Sequence, residues 1–476
     1  MKQTKLTGAI ALMIAQAIVL LFGYATHVLI GRLLGPAQYG IYGVVLSIQT
    51  IFGMLLTLGV PSAVSKFVAQ DTPHAKAILS HALRLQLGIS IGLSAILALA
   101  SPLISYALHD SSLSIYLLFA SGVIFFQAFY PIYVQFLSGM HRFNAQALIT
   151  STYAIAKLVG ALALLYFFSL YGALAGFAIG GIIAAILGWY WTRNIPKSEG
   201  YIFHFKSFLS FAGTYAIILV GLQILMSQDL FMVKALLKND TLAGYYNAAV
   251  TLSRISYMLL QGLSFVLLPS VAALTRPGAS HDKAVQFIED TLRYLIILIV
   301  PSVVLASATS KGLVILFFST KYIQAAPILT VLMLGLGCLS FYLLLANIVA
   351  GAGRPKVGLY ITGLMIVLSA AIGSFTIPMF GLIGAAWQTT IASAIGLILL
   401  GSYTFKAFSI PYPLKSTINV CIATACMIIP TYFWHVAGIL MLGQYVILGL
   451  IFIAVLYLLR EITEKDISYA KSIIRR

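Results

Sequence analysis

The chain has 476 residues, of which 61% are hydrophobic and only 8% are charged, and its net charge is +17. Soluble domains have about 25% charged residues, so this composition and a mean hydropathy of +1.03 exclude a soluble globular fold. They predict an all-α, polytopic membrane protein.

Apolar runs of about 20 residues predict fourteen transmembrane helices. In chain order they lie near 6–31, 39–65, 78–107, 113–139, 145–168, 171–192, 207–236, 242–270, 286–307, 324–350, 357–378, 381–404, 415–436 and 441–460. The segment KGLVILFFSTKY (311–322) is too short to span and is expected to lie at the membrane interface. The first run is longer than the apolar region of a signal peptide and other runs follow at once, so it is interpreted as a retained helix.

The lysines and arginines predict the orientation of these helices. If the chain starts inside, the outer side receives only Arg32, Lys234, Lys238, Lys311 and Lys321. Lys157 and Arg254 lie at membrane depth, and the other basic residues fall on the cytoplasmic side. This bias predicts a multi-pass protein of the cell membrane with both termini in the cytoplasm. The excess positive charge then faces anionic membrane lipid, so nucleic acid is not an expected partner.

Four pairs of similar segments recur in the same order. YGIYGVVLSI (39–48) matches AGYYNAAVTL (243–252), and VPSA (60–63) matches LPSV (268–271). LSGMHRF (137–143) matches VAGAGRP (349–355), and YGALAGFA (171–178) matches FGLIGAAW (380–387). They predict the duplication of a six-helix unit, and an even number of helices implies an axis along the membrane normal.

The duplication defines the predicted domains. The N-lobe is 1–195, a cytoplasmic linker is 196–206 and the C-lobe is 207–405. Two extra helices occupy 406–460, and a cytoplasmic tail follows at 461–476. The three cysteines fall inside apolar runs without metal-ligand spacing, so neither a metal nor a cofactor is expected.

Several motifs resemble one transporter family. GRLLGPAQYGIYG after the first helix, LAGYYNAAVTLSRI, NIVAGAGRPKVG and FGLIGAAWQT are similar to the polysaccharide transporter (Wzx-like oligosaccharide flippase) family. This family belongs to the multidrug/oligosaccharidyl-lipid/polysaccharide exporter superfamily. The resemblance covers residues 1 to about 405. It implies two pseudo-symmetric six-helix lobes in a V around a central cavity.

The resemblance also implies a function. The protein would be a flippase that moves a polyprenyl-diphosphate-linked oligosaccharide from the cytoplasmic to the outer leaflet by alternating access. Such transport serves the assembly of cell-surface polysaccharide or glycan. A polysaccharide polymerase or glycosyltransferases are candidate partners, and a monomer is expected. Fourteen helices also occur in the lipid II flippase branch, which stays an alternative although the opening motif fits it less well.

Polar side chains form stripes on helices that are otherwise apolar. On the eighth predicted helix the stripe is Asn247, Thr251, Arg254 and Gln261, since these positions share one helical face. Polar stripes are expected to face a wet cavity because lipid would leave them unsatisfied. The candidate substrate-binding residues are Arg254, Lys157, Asn247, Thr251, Gln261, Tyr153, Thr50, Gln16, His27, Arg84 and Arg32.

The charges at membrane depth leave alternatives open. An arginine at the bilayer centre costs roughly 2.5–3.5 kcal/mol, which either a substrate phosphate or the carboxylate of Asp229 would offset. Asp229 is either that counter-ion or a site coupled to Na⁺, H⁺ or the membrane potential. Lys157 is a second phosphate ligand, extends toward the interface or binds a backbone carbonyl. His27 is a ligand or an interfacial packing residue, and Arg32 contacts a headgroup, anchors a loop or gates the cavity.

Two other classes of protein fit less well. A multidrug cation exporter of the same superfamily needs buried carboxylates, whereas one acid faces two bases at membrane depth. A membrane glycosyltransferase or polymerase needs catalytic acids or bases on a sizeable outer loop. The outer loops are short and contain no nucleophile–base pair, so an enzyme is not expected.

Overall fold

The computed structural model describes residues 5–196, 205–274, 281–409, 412–434, 436 and 438–462. In these ranges every regular element is a helix, as predicted. The helices are α1 (Lys5–Met54), α2 (Val60–Gln70), α3 (Ala75–Ala107), α4 (Leu113–Gln127), α5 (Tyr130–Gly139), α6 (Phe143–Thr192), α7 (Phe205–Leu225), α8 (Gln228–Leu237), α9 (Asp240–Leu274), α10 (His281–Ala308), α11 (Ser310–Phe318), α12 (Ala325–Gly351), α13 (Pro355–Phe408), α14 (Leu414–Phe433) and α15 (Leu440–Leu458).

Three of these helices, α1, α6 and α13, run through the junction between two predicted spans, and the backbone breaks once inside each of them. The breaks lie at Gly35, Ser169 and Gly381, where φ is 76°, 49° and 59°. The second predicted span, 39–65, begins in α1 and continues through the π-helical turn Leu55–Gly59 into α2. Conversely, the fourth predicted span is divided into α4 and α5, and the seventh into α7 and α8. With these breaks counted, the described ranges contain the fourteen predicted helices. Helix α11 has nine residues, or about 14 Å, and is too short to span, as predicted.

The same turn occurs in both halves of the sequence. Ser169 has φ 49° and ψ −128°, and Gly381 has φ 59° and ψ −134°. Three residues later, Gly172 and Gly384 each pack on the backbone of the preceding helix so closely that a Cβ would clash. The same offset in residue number relates Ser169 to Gly381 and Gly172 to Gly384. The fourth sequence match is therefore out of register by three residues: Gly381 corresponds to Ser169, because Gly384 provides the close contact of Gly172.

The contacts divide the chain into two compact units, Met1–Asn247 and Ala248–Arg476. In the first unit, helices α2, α3, α5, α6 and α7 enclose a core that includes the fully buried Phe136 and Phe208. The boundary between the units falls inside α9, after α7 and α8, because the contacts of these two helices assign them to the first unit. Helix α7 packs on α1 and α2, and α8 packs on α1. The lobes 1–195 and 207–405, and their arrangement as a V, stay predictions. The linker 196–206 and the tail 461–476 lie mostly outside the described residues.

The second unit includes the predicted pair of extra helices. Helix α14 packs on α10, and α15 packs on α14, with buried apolar side chains such as Ile296, Met427 and Leu448 in their shared core. Beyond α15, the carboxylate of Glu461 accepts hydrogen bonds from Arg293 of α10 and Asn419 of α14, both at 2.8 Å. Apolar packing and a buried ion pair therefore hold the extra helices on α10.

Candidate functional site

Lys157 lies in the first half of α6 with aromatic rings around its charge. Its Nζ is 5.0 Å from the centroid of the Phe177 ring and 5.7 Å from that of Tyr153. In the part of the chain that the structure describes, Lys157 forms no ion pair. Gly180 permits this packing, since a Cβ there would lie 3.0 Å from the Cβ of Lys157. The site therefore places a cation against aromatic faces, which attract cations but do not neutralise them.

Tyrosines extend the site toward α1. The rings of Tyr153 and Tyr130 stack with centroids 4.1 Å apart, and α6, which contains Tyr153, packs on α1, which contains Tyr42. Tyr42 is fully buried, stacks on Tyr39 at 5.8 Å and meets the edge of His27 at 5.9 Å. The hydroxyl of Tyr42 has no hydrogen-bond partner among the described residues. The candidate residue His27 on α1 and the candidate residues Tyr153 and Lys157 on α6 thus lie on two helices that pack on each other.

The two copies of the first repeated motif pack directly on each other. A Cβ on Gly40 would clash with the backbone of Asp240, and a Cβ on Gly244 would clash with the backbone of Pro36. The offset that relates Gly40 to Gly244 also relates Pro36 to Asp240, so the contact is self-complementary, like that of a two-fold dimer. The crossing of α1 and α9 therefore requires both glycines.

Asn247 belongs to this crossing. Its side chain lies against Gly43, which has the same offset from it, and its Nδ2 donates a hydrogen bond of 3.1 Å to the carbonyl oxygen of Tyr39. The side chain is buried. The structure thus gives Asn247 a packing role, and its predicted contact with substrate stays a prediction.

Asp229, predicted as a counter-ion or coupling site, lies at the start of α8 and is 4% exposed. The hydroxyl of Tyr246 donates to its carboxylate at 2.9 Å, and the backbone N–H of Leu230 donates at 2.8 Å. These two hydrogen bonds connect the carboxylate to the backbone of α8 and to α9. The pairing of Asp229 with Arg254 and its coupling to an ion both stay predictions.

A buried ion cluster lies at the predicted outer end of the first unit. Lys234 of α8 is 2% exposed, and its Nζ is 2.5 Å from Asp110 and also pairs with Asp240. Burial would raise the pKa of the Asp110 carboxyl, but hydrogen bonds from Lys234 and Ser112 and the charge of Lys234 outweigh it and lower that pKa. The cluster links the α3–α4 loop to α8 and α9.

The other predicted residues of the first unit are near its surface or engaged locally. Gln16, Arg32 and Arg84 are exposed. Thr50 donates its hydroxyl to the carbonyl oxygen of Leu46, one turn earlier in α1. These positions do not converge on Lys157 in any contact that the structure describes.

The predicted stripe on α9 continues into the second unit. Thr251 is buried and Arg254 is half-buried there. The side chain of Gln261 lies outside the described residues. The role of Arg254 as a phosphate ligand stays a prediction.

Two residues that shape this region, Phe177 and Gln86, have little or no signal in the sequence. Phe177, which faces Lys157, is one of many aromatic residues in apolar runs. Gln86 is fully buried and donates to the carbonyls of Leu56, at 2.8 Å, and Ala128, at 2.6 Å. Those carbonyls lie in the π-helical turn Leu55–Gly59 and at the break between α4 and α5, where helical hydrogen bonds are lost. The one sign of this role in the sequence is a lone glutamine inside an apolar run.

Comparison with known proteins gives a consistent result. A family described as "Polysaccharide biosynthesis protein" matches residues 6–275. A putative O-antigen transporter of Shigella flexneri is 23% identical over 407 residues, which cover 80% of this chain and 94% of that protein. Two uncharacterized membrane proteins of Methanocaldococcus jannaschii are 28% and 21% identical. The first match covers 41% of this chain and only 38% of that protein, and the second covers 80% and 92%.

Solved structures share the fold. The lipid II flippase MurJ, in an inward closed conformation, superimposes with a TM-score of 0.78 at 18% identity, covering 96% of this chain and 99% of that chain. An inward-facing multidrug resistance transporter of the MATE family superimposes with a TM-score of 0.62 at 15% identity, covering 84% and 98%. At these identities the likeness concerns the fold.

Proposed function

Since the chain belongs to the polysaccharide biosynthesis protein family, within the superfamily that contains multidrug and oligosaccharidyl-lipid exporters, we propose that it flips a polyprenyl-diphosphate-linked oligosaccharide. The lipid-linked sugar would move from the cytoplasmic to the outer leaflet by alternating access, driven by the membrane potential or an ion gradient. No covalent bond changes in this process, so the protein acts as a transporter and not as an enzyme. The similarity to a putative O-antigen transporter supports the choice of substrate class.

The observation that carries the proposal is the environment of Lys157. A lysine at membrane depth without a carboxylate partner among the described residues is costly, and a bound anion offsets that cost. The diphosphate of the lipid-linked sugar is such an anion. Cation–π contacts with Phe177 and Tyr153 hold the ammonium in place while its N–H groups remain available to phosphate oxygens.

The tyrosines near Lys157 suit the sugar part of this substrate. Phenolic hydroxyls both donate and accept hydrogen bonds, so Tyr153, whose ring lies against Lys157, would bind the sugar hydroxyls. Arg254 is proposed as a second phosphate ligand, because its planar fork binds two phosphate oxygens at once. Thr251, one turn earlier on α9, would contact the same substrate.

Other substrates of this fold have weaker support. The fold is shared with a lipid II flippase, so a peptidoglycan precursor is the second candidate lipid-diphosphate. A cation exporter requires a carboxylate at the substrate site, whereas the described site presents the cation of Lys157.

Reconstituted proteoliposomes separate these candidates. A fluorescent lipid-linked oligosaccharide is placed in both leaflets, and dithionite reduction reports its transfer. We expect transfer of the oligosaccharide lipid and no export of a cationic dye from the same vesicles. Dye export without lipid transfer would overturn the proposal, and transfer of lipid II alone would move the protein to the peptidoglycan branch.

A further inference from the structure

An apolar groove on the lipid-facing surface of the first unit has a cation at one end. One wall consists of Phe126, Phe129 and Tyr133, at the break between α4 and α5, and the other of Ile182, Ile186 and Trp189 on α6. The groove encloses about 300 Å³. Gly188 brings α6 against the ring of Tyr133, where a Cβ would lie 2.5 Å from the Cβ of that tyrosine. The groove therefore lies where α6 packs closely on α5.

Arg193 lies on the same face of α6 as this wall. Positions 182, 186, 189 and 193 follow one another at helical spacing, and Arg193 comes directly after the last residue of α6. Its guanidinium lies 4.2 Å from the centroid of the Tyr190 ring and 6.0 Å from that of Trp189. Tryptophan and tyrosine are enriched at the level of lipid headgroups. The charge of Arg193 is thus at the interfacial end of the groove.

The distance along α6 from the far end of the groove to Arg193 matches one leaflet. Eleven residues of helix separate Ile182 from Arg193, which corresponds to about 16 Å, and half of a hydrocarbon core of about 30 Å is about 15 Å. A single acyl chain from the predicted cytoplasmic leaflet fills this distance when its headgroup is at Arg193. A polyprenyl chain, which is many times longer, does not match a groove that ends at mid-membrane.

The neighbouring charges favour an anionic headgroup. Lys76 donates a hydrogen bond of 2.7 Å to the carbonyl oxygen of Thr192, so this last carbonyl of α6 does not compete for Arg193. Arg193 forms no ion pair with any residue that the structure describes. Arginine binds phosphate through two parallel N–H groups. The adjacent cations Lys76 and Arg193 would repel the ammonium group of a zwitterionic lipid, so they favour an anionic one.

We propose that this groove and Arg193 form a binding site for an anionic glycerophospholipid of the predicted cytoplasmic leaflet. The phosphodiester pairs with Arg193, and one acyl chain lies between α6 and the α4–α5 break. The site is separate from Lys157, and its existence does not depend on which substrate the protein transports.

Native mass spectrometry of the detergent-purified full chain tests the site. Phosphatidylglycerol and phosphatidylcholine with identical acyl chains are titrated, and the occupancy of the first bound lipid is measured. We expect phosphatidylglycerol to bind about tenfold more tightly, and Arg193→Ala to remove this preference. Arg193→Lys should keep part of it. Arg354→Ala, which removes an exposed arginine of the same predicted face, should leave it unchanged.

A second variant tests the groove rather than the charge. Ile186 lines the groove and is 60% exposed, so Ile186→Asn should weaken both lipids by about tenfold while melting near the wild-type temperature. An unchanged preference in Arg193→Ala would overturn the proposal. Displacement of the lipid by inorganic phosphate at equal concentration would overturn it in favour of a free-anion site. Preferential binding of undecaprenyl phosphate would overturn it in favour of a substrate entry site.

Discussion

Replacing Lys234 tests whether its buried ion pair with Asp110 stabilises the first unit. Its side chain is 3% exposed and its Nζ is 2.5 Å from Asp110, whose side chain is 14% exposed. Lys234→Met keeps the apolar stem but leaves Asp110 buried without a cation. Breaking a buried ion pair costs about 3–5 kcal/mol. The side chain of Asp240 is 36% exposed, so water can solvate its carboxylate when Lys234 is lost. We therefore expect the free energy of unfolding to fall by about 3 kcal/mol, the lower end of this range.

Chemical unfolding of the purified protein in detergent measures this loss. A double-mutant cycle with Lys234→Met and Asp110→Asn should give a coupling free energy of about 1–3 kcal/mol. The control is Lys238→Met, which removes an exposed lysine one turn later and should change the free energy of unfolding by less than about 0.5 kcal/mol. If Lys234→Met unfolds like the wild type, or if the two changes are additive, the ion pair does not stabilise the unit.

The pair also predicts how stability depends on pH. The pKa of Asp110 lies below the ordinary value of 3.8, because the hydrogen bonds from Lys234 and Ser112 outweigh the effect of burial. A carboxyl with a lowered pKa stabilises the fold above its unfolded pKa, and the contribution disappears as the pH falls through the folded pKa. The melting temperature of the wild type should therefore fall below about pH 4. Asp110→Asn should show a smaller fall over the same range, and an equal fall would contradict the assignment.

Three further changes give separate outcomes. Gly244→Ala puts a methyl group into the α1–α9 crossing and should lower the free energy of unfolding by about 1–3 kcal/mol, whereas Gly221→Ala, with open space around it, should be neutral. Glu461→Gln weakens the attachment of the C-terminal helices and should lower the melting temperature, and an unchanged value would show that apolar packing suffices. Arg254→Lys keeps the charge without the fork and should retain part of the flipping rate. Full flipping by Arg254→Leu combined with Asp229→Leu would instead mean that the arginine is a structural clamp.

Apolar runs predicted the helices well because a bilayer requires about 20 such residues whatever their partners. The breaks were harder to place. A positive φ at Gly35 and Gly381 is permitted by glycine, but these are two of 39 glycines, and Ser169 adopts the same conformation without that residue type. The division of the fourth and seventh spans is hard to predict because only a few polar residues mark the breaks, Gln127 in the fourth and Ser227–Asp229 in the seventh, and apolar residues continue on both sides.

The candidate site was predictable where a charge marked it. Lys157 stood out because a lysine in an apolar run is rare, but nothing in the sequence assigned Phe177 to it. The sequence places Lys234 on the outer side but does not predict its ion pairs, since the contact with Asp110 spans 124 residues of sequence. Asn247 had the spacing of a cavity residue, and its engagement with Tyr39 depends on how closely two glycines allow the helices to approach.

The flipping rate of Lys157→Ala tests the proposed function most directly. The variant and the wild type are reconstituted at equal density, and transfer of a fluorescent polyprenyl-diphosphate-linked oligosaccharide is followed by dithionite reduction. A charge-assisted contact with the diphosphate contributes about 1.5–3 kcal/mol, so we expect Lys157→Ala to flip at least about tenfold more slowly. Lys157→Arg should stay within a few-fold of the wild type, and Lys311→Ala should be unchanged. Wild-type flipping by a folded Lys157→Ala variant would contradict the account.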